Sequence, residues 1–211
     1  MALCLCVALS ATTFNDAGMI SEFVNEENRM NKTMIAAALA AGVMFGYSGR
    51  AWKQSDQKLP MAGYAPATDI PGARELPNPD IDYKVVFSVA AVAKPEEIHP
   101  TLKTIALYLN TLAHNGVPAG HRHIAAVFHQ GGGDAVLAND VYKARHNGTI
   151  NPNIALLHEL KQAGVELRVC GQGLLGKKVD PKDVLPDVQV DLWAMTTMVN
   201  LQLRGYVRIG G

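Results

Sequence analysis

The sequence lacks the features that would tie it to nucleic acid or to a membrane. Its acidic and basic side chains balance at 19 each, and no basic stripe interleaved with aromatic residues occurs, which argues against nucleic acid as a partner. No apolar run reaches the roughly 18 residues that a membrane-spanning helix needs. Of its 211 residues, 48% are hydrophobic and 18% are charged, which is typical of one globular domain with an appendage.

Cysteine is also scarce. There are three cysteines, and Cys4 and Cys6 lie close to the N-terminus. If the N-terminal region is removed during export, Cys170 is the only thiol left and no disulfide can form within the chain. Exported proteins usually pair their cysteines or lack them, so a single one indicates a reactive thiol or a bond to another chain. The alternative is an inert buried cysteine that serves as a small hydrophobic residue.

An export signal is predicted at residues 30–48. Residues 30–33 form a short, positively charged segment, Met34 to Phe45 is an apolar run rich in alanine, and residues 46–48 provide small side chains for cleavage. We therefore expect a periplasmic or otherwise exported protein whose mature form has no membrane span.

The position of this signal predicts that residues 1–29 are a mis-assigned N-terminal extension. The codons of Glu26-Glu27 would form a purine-rich ribosome-binding sequence just ahead of a start at Met30. Two alternatives stay open: Leu3 to Ser10 is itself the signal, or the apolar run is an uncleaved N-terminal anchor.

Beyond residue 80, apolar strands alternate with amphipathic helices, whereas residues 49–80 are rich in proline and glycine and are predicted to form an arm or linker. Strands are predicted at 83–92, 124–128, 165–169, 188–192 and 206–209. Helices are predicted at 95–115, 134–145, 152–163 and 194–203. The alternation predicts one α/β domain over residues 81–211, with a mostly parallel sheet of about five strands and helices on both faces.

Ligands and catalytic groups in such sheets gather beyond the carboxyl ends of the strands. Cys170 ends a predicted strand there, and the turn Gly171-Gln172-Gly173 after it would offer free N–H groups to a thiolate, with Lys177 and Lys178 adding positive charge. We expect a thiolate population at neutral pH and a substrate-binding role for the turn.

His129 ends another predicted strand at the same edge and is followed by Gln130, a further substrate-binding candidate. His129 could donate to the thiolate, act as a general base or orient a ligand. The alternative is that it only caps a loop.

Other motifs are discounted. His121 and His123 lack a third ligand nearby, so no metal site is predicted. Gly171 to Gly176 matches G-x-G-x-x-G, but Pro181 and Pro186 interrupt the crossover helix that a dinucleotide fold needs, so no cofactor is predicted.

Surface positions are expected for His99, His114, His146 and His158. Helix N-capping is expected for Thr196 or Thr197.

The segment from Val165 to Gln172 resembles the DsrE/DsrF-like sulfur-relay family, in particular an exported branch of it. Asp180 to Pro186, Val188 to Val190 and Phe128-His129 agree with that resemblance, which covers about residues 81–209. It implies a compact α/β domain that assembles into trimers or hexamers. It also implies that the cysteine matching Cys170 carries sulfur as a persulfide between partner proteins.

The sequence therefore predicts an exported homo-oligomer whose Cys170 accepts sulfane sulfur and passes it on, with donor and acceptor proteins or small sulfur species as partners. This is a possible sulfur-transfer activity that needs no organic cofactor. The alternative is a non-catalytic periplasmic module that binds a small ligand or a metal in the same cleft. A third possibility is a structural oligomer in which Cys170 is inert.

Overall fold

The computed structural model describes residues 58–210. The N-terminal extension, the export signal with its alternatives, Cys4 and Cys6, and residues 49–57 of the arm lie outside the described residues. Within residues 58–210, no helix is long and apolar enough to cross a membrane.

The described residues contain five strands: β1 (Tyr83–Val89), β2 (Arg122–Phe128), β3 (Glu166–Cys170), β4 (Gln189–Asp191) and β5 (Val207–Ile209). They form one sheet in the spatial order β4-β3-β2-β1-β5, and every neighbouring pair is parallel. The predicted five-stranded parallel sheet is confirmed. This order places β3, which ends at Cys170, between β2 and β4.

Between the strands, the described chain forms five α-helices: α1 (Pro100–His114), α2 (Asn139–Arg145), α3 (Ile154–Gln162), α4 (Gly171–Gly176) and α5 (Ala194–Leu203). Short 3-10 segments lie at Ala119–His121, Gln130–Val136 and Pro181–Asp183. The predicted helix over 134–145 is thus a 3-10 segment followed by α2. The two are separated because Leu137 is extended and bridges to Val184.

The sheet separates two apolar clusters because successive strand residues point to opposite faces. On one face, residues such as Val85 and Phe87 pack with α1 and α3 in the larger cluster. On the other face, Val86 and Cys170 pack with Met198 and other buried residues of α5. Helices therefore cover both faces, as predicted, and Cys170 belongs to the face that α5 covers.

The first helix begins later than predicted. Pro95-Glu96-Glu97 was expected to start it, but α1 starts at Pro100 because His99 caps it. The His99 Nδ1 atom accepts a hydrogen bond from the Thr101 N–H (3.2 Å), and its Nε2 atom donates to the Ala91 carbonyl (3.1 Å). His99 is only 1% exposed, so the expectation of a surface position for it is wrong.

Residues 58–80 contain neither helix nor strand and pack against α1 of their own domain. Met61 is buried in the larger core cluster. The fully buried amide of Asn110 accepts a hydrogen bond from the Met61 N–H and donates to the Met61 carbonyl, both at 2.9 Å, and it also donates to the Tyr64 carbonyl. One α1 side chain thus satisfies three backbone groups of the arm.

We predict that Asn110→Ala lowers the free energy of unfolding by about 1–3 kcal/mol, because it leaves buried backbone groups of the arm without partners. Denaturant titration measures the loss. Thr104→Ala is the matched control on the exposed side of the same helix, where the hydroxyl bonds only to the Pro100 carbonyl. Equal losses for the two variants would contradict the proposed role of Asn110.

Candidate functional site

Cys170 lies where the starts of two helices meet. It is the last residue of β3 and the N-cap of α4. Its Sγ atom accepts hydrogen bonds from the N–H of Gly173 in α4 and from the N–H of Ala194, the first residue of α5, each at 3.3 Å. Helix N-termini carry partial positive charge, so both amides favour negative charge on an atom at this position.

The Gly171-Gln172-Gly173 segment is helical, whereas the sequence predicted a turn with free amides. Its amides are already used: Gly173 donates to Cys170, and the N–H of Gln172 donates to the Leu192 carbonyl at 3.2 Å. The Gln172 side chain is exposed. The backbone of this segment therefore holds the sulfur and the β4–α5 connection in place.

Gly171 has a steric reason to be glycine. A Cβ atom there would lie 2.8 Å from the Asp191 carbonyl oxygen, which is closer than carbon and oxygen can approach. Gly132 is similarly constrained, because its Cβ atom would overlap the carbonyl of Val89. These glycines let the segments after β3 and β2 run close to their neighbouring strands.

The surroundings of Cys170 are otherwise apolar. Cys170 is 6% exposed and packs in the cluster that includes Val86, Val127 and Met198. Among the described residues, its polar contacts are the two backbone amides. Little of Cys170 is therefore open to solvent, and movement of a neighbouring segment would increase access to the sulfur.

The first turn of α5 covers the sulfur and has no side-chain cap. Trp193 occupies the N-cap position without a capping hydrogen bond. The expectation that Thr196 or Thr197 caps this helix is wrong. Instead, the Thr197 hydroxyl lies 2.8 Å from an Asp191 carboxylate oxygen and 3.2 Å from the Trp193 carbonyl.

His129 and Cys170 lie on neighbouring strands and on the same face of the sheet. Phe128 of β2 pairs with Val169 of β3, and His129 continues in extended conformation, so it occupies the position beside Cys170. The two predicted site residues thus occupy neighbouring positions at this edge, but the His129 ring bonds to Ser88 and the Cys170 sulfur to backbone amides, so their joint role stays a prediction. Gln130 follows with a positive φ of 48° and an exposed side chain, on the surface at the same edge.

The His129 ring contacts a serine that sequence reasoning missed. Its Nε2 atom lies 2.9 Å from the Ser88 hydroxyl, and the Ser88 hydroxyl accepts a hydrogen bond from Arg208 at 3.4 Å. Burial, and next the positive charge of Arg208, lower the pKa of His129. The signal for Ser88 was a single hydroxyl within the apolar run of β1.

A cleft of about 210 Å³ adjoins the first turn of α5. Its floor contains Arg168, which bonds to Glu166 at 2.7 Å and to Asp191 at 3.2 Å. Trp193 and Arg204 are among the residues that line its sides. The sequence analysis gave Arg168 no role, because its pairing with Asp191 of the neighbouring strand β4 becomes apparent only in the folded structure.

The lysines expected to support Cys170 have other positions. The Lys177 ammonium group pairs with Asp134 at 2.6 Å, and Lys178 is exposed.

The two histidines considered as metal ligands have other partners. His121 bonds to the Pro79 carbonyl at 2.8 Å, and His123 lies 3.7 Å from an Asp82 carboxylate oxygen. Within the described part of the chain, no three His, Cys, Asp or Glu side chains converge as a metal site requires.

Comparison with known proteins identifies a family and a similar solved structure. The model of the DsrE/DsrF-like family matches residues 83–209. The structure of MTH1491, a protein of unknown function from Methanobacterium thermoautotrophicum, is similar to this chain with 22% identity and a TM-score of 0.44. That match covers 61% of this chain and all of the other. No curated protein matches this chain significantly.

We predict that Gly171→Ala destabilises the fold by about 1–3 kcal/mol, because the added methyl group must push β4 away from β3. Gly176→Ala is the matched control at the other end of α4, where a Cβ atom meets nothing within 4 Å. It should be neutral or stabilise by about 0.4–1 kcal/mol. Thermal and denaturant unfolding compare the two; a Gly171 variant as stable as the control would refute the close approach.

Proposed function

This chain belongs to the DsrE/DsrF-like family, which is associated with sulfur relay, and we propose that it carries sulfane sulfur as a persulfide on Cys170. The observation that carries the proposal is the pair of amide donors at 3.3 Å from the sulfur, at the start of two helices. In this role the protein is a carrier between other molecules, and Cys170 is the group that reacts.

Each transfer is an exchange between sulfur atoms. The Cys170 thiolate attacks the outer sulfur of a donor persulfide or polysulfide, a new S–S bond forms, and the S–S bond of the donor breaks so that the donor leaves as a thiolate. An acceptor thiolate then attacks the outer sulfur on Cys170. The negative charge returns to the Cys170 sulfur in that step, where the amide of Gly173 supports it, and the amide of Ala194 does so again once the first turn of α5 is back in place.

The burial of Cys170 adds a requirement for movement. The first turn of α5 covers the sulfur, and Leu192, Trp193 and Met195 around it are exposed. We infer that a donor or acceptor docks on these apolar side chains and displaces the turn. The N-cap residue Trp193 makes no side-chain capping bond, so opening this helix start breaks no such bond, which suits a segment that must move.

We also propose a homo-oligomer, a trimer or hexamer, as the family resemblance implies. Exposed apolar side chains support it: Met195, Val199 and Leu203 lie on the outer side of α5, and Val207 and Ile209 are exposed on the edge strand β5, on the opposite face of the sheet. Monomeric proteins seldom leave so many neighbouring apolar side chains in water.

A second candidate function is a non-catalytic module that binds a small ligand. The cleft beside α5 favours it, because a carboxylate, an indole ring and guanidinium groups line the same space. Such a protein would bind its ligand without a change in the mass of Cys170.

We predict that incubation of the full chain with polysulfide adds the mass of one sulfur atom to the peptide that contains Cys170. Cys170→Ser should show no such adduct, and His129→Gln should retain it because the attacking atom is unchanged. Mass spectrometry under non-reducing conditions reads the adduct, and a thiol acceptor should remove it. An unmodified Cys170 in the folded protein that reacts only after unfolding would eliminate the carrier and favour an inert thiol.

We further propose export through the signal at residues 30–48. Leu39→Arg, which places a charge in its apolar run, should retain the protein inside the cell, whereas Leu5→Arg should leave export unchanged. Cell fractionation and N-terminal sequencing measure both. The opposite pattern would assign the signal to Leu3 to Ser10, and an exported protein that keeps residues 34–45 would indicate an anchor.

A further inference from the structure

Ser88 has a buried hydroxyl that the strand itself does not need. It is 7% exposed and lies in β1 on the same face as Val86, the face that carries Cys170. The backbone of Ser88 is paired with β2 in the sheet, and the side-chain hydroxyl takes no part in that pairing.

A row of four side chains crosses this face of the sheet. The strands β5, β1, β2 and β3 are consecutive neighbours, and they contribute Arg208, Ser88, His129 and Cys170, respectively. Arg208 shares the face of Ser88 because it pairs with Val86, two residues earlier in β1. The Ser88 hydroxyl therefore lies between a guanidinium group and an imidazole, at 3.4 Å and 2.9 Å.

The chemistry of Arg208, Ser88 and His129 bears on which group donates in each hydrogen bond between them. A guanidinium group only donates hydrogen bonds, so the Ser88 oxygen accepts from Arg208. The oxygen has a second lone pair, so this contact alone leaves the Ser88–His129 direction open; however, among the described residues the Nε2 atom of His129 is the acceptor within reach of the hydroxyl proton, and we take Nε2 to accept it. Since Nε2 accepts, a neutral ring carries its own proton on Nδ1.

A positively charged His129 ring suits these hydrogen bonds less well than a neutral ring. An imidazolium would use both lone pairs of the hydroxyl oxygen for donors, leave the buried hydroxyl proton without an acceptor among the described residues, and bring a second positive charge towards Arg208. The lowered pKa of His129, caused first by burial and then by Arg208, agrees with a neutral ring.

We propose that Ser88 is a positioning residue that holds His129 as the Nδ1–H tautomer, beside the strand that ends in Cys170. The inference rests on the proposed function and narrows the role of His129 within it. Of the roles expected for this histidine, that of a general base acting through Nδ1 is removed, because Nδ1 already carries the proton.

The tautomer can be measured directly on the full chain with ¹⁵N-labelled histidine, because protonated and unprotonated ring nitrogens differ in chemical shift. We expect neutral His129 in the wild type to show one form, with the proton on Nδ1. Ser88→Ala should lose that signature and give a mixture or the Nε2–H form, and Ser88→Thr, which keeps the hydroxyl, should restore it.

A second variant keeps the test decisive if substitutions at the buried Ser88 impair folding. Arg208 is exposed, and Arg208→Met removes the guanidinium group that donates to the Ser88 hydroxyl. In this variant, too, His129 should be a mixture of its two neutral tautomers. Wild-type His129 as Nε2–H, or an unchanged Nδ1–H form in both Ser88→Ala and Arg208→Met, would overturn the proposal. The spectra need no sulfur on Cys170, so a failure of the carrier hypothesis leaves this measurement intact.

Discussion

The parallel pairing of β3 between β2 and β4 is the constraint on which the site depends. Parallel strands bring their carboxyl ends to one edge, and each is followed there by a new segment of chain. Because β3 is flanked on both sides, the register places His129 in the position beside Cys170 on one side, and the start of α5 donates to the Cys170 sulfur from the other. A cysteine on an edge strand would have had only one of these neighbours.

Burial and hydrogen bonding of the Cys170 sulfur both involve the start of α5. The apolar cluster on this face packs around the sulfur, and the amides of Gly173 and Ala194 donate to it at 3.3 Å. The first turn of α5 therefore contributes both the cover and one donor, the N–H of Ala194. In the carrier that we propose, movement of this turn would expose the sulfur and withdraw that donor in the same step.

The sequence was sufficient for the strands, the parallel sheet and the position of Cys170 at its carboxyl edge, because periodicity reports burial directly. It failed where a capping side chain or a tertiary contact sets a boundary. His99 delays the start of α1, and the glycines after Cys170 begin a helix at once because Gly171 must pass close to Asp191. Arg168 and Ser88 were missed since each has partners beyond its own strand, Asp191 for Arg168 and His129 and Arg208 for Ser88, and such partners cannot be identified from the local sequence.

The four side chains Arg208, Ser88, His129 and Cys170 are placed near one another by the pairing of their strands and not by a sequence motif. None of them lies within 30 or so residues of the next in sequence, and each is an unremarkable residue in its own segment. Their arrangement follows from register alone: one residue per strand, on one face, at one edge. A proton position fixed by Arg208 at the far strand is thereby relayed through Ser88 to the ring beside Cys170, so the outer strand β5 takes part in the chemistry of a site that it does not touch.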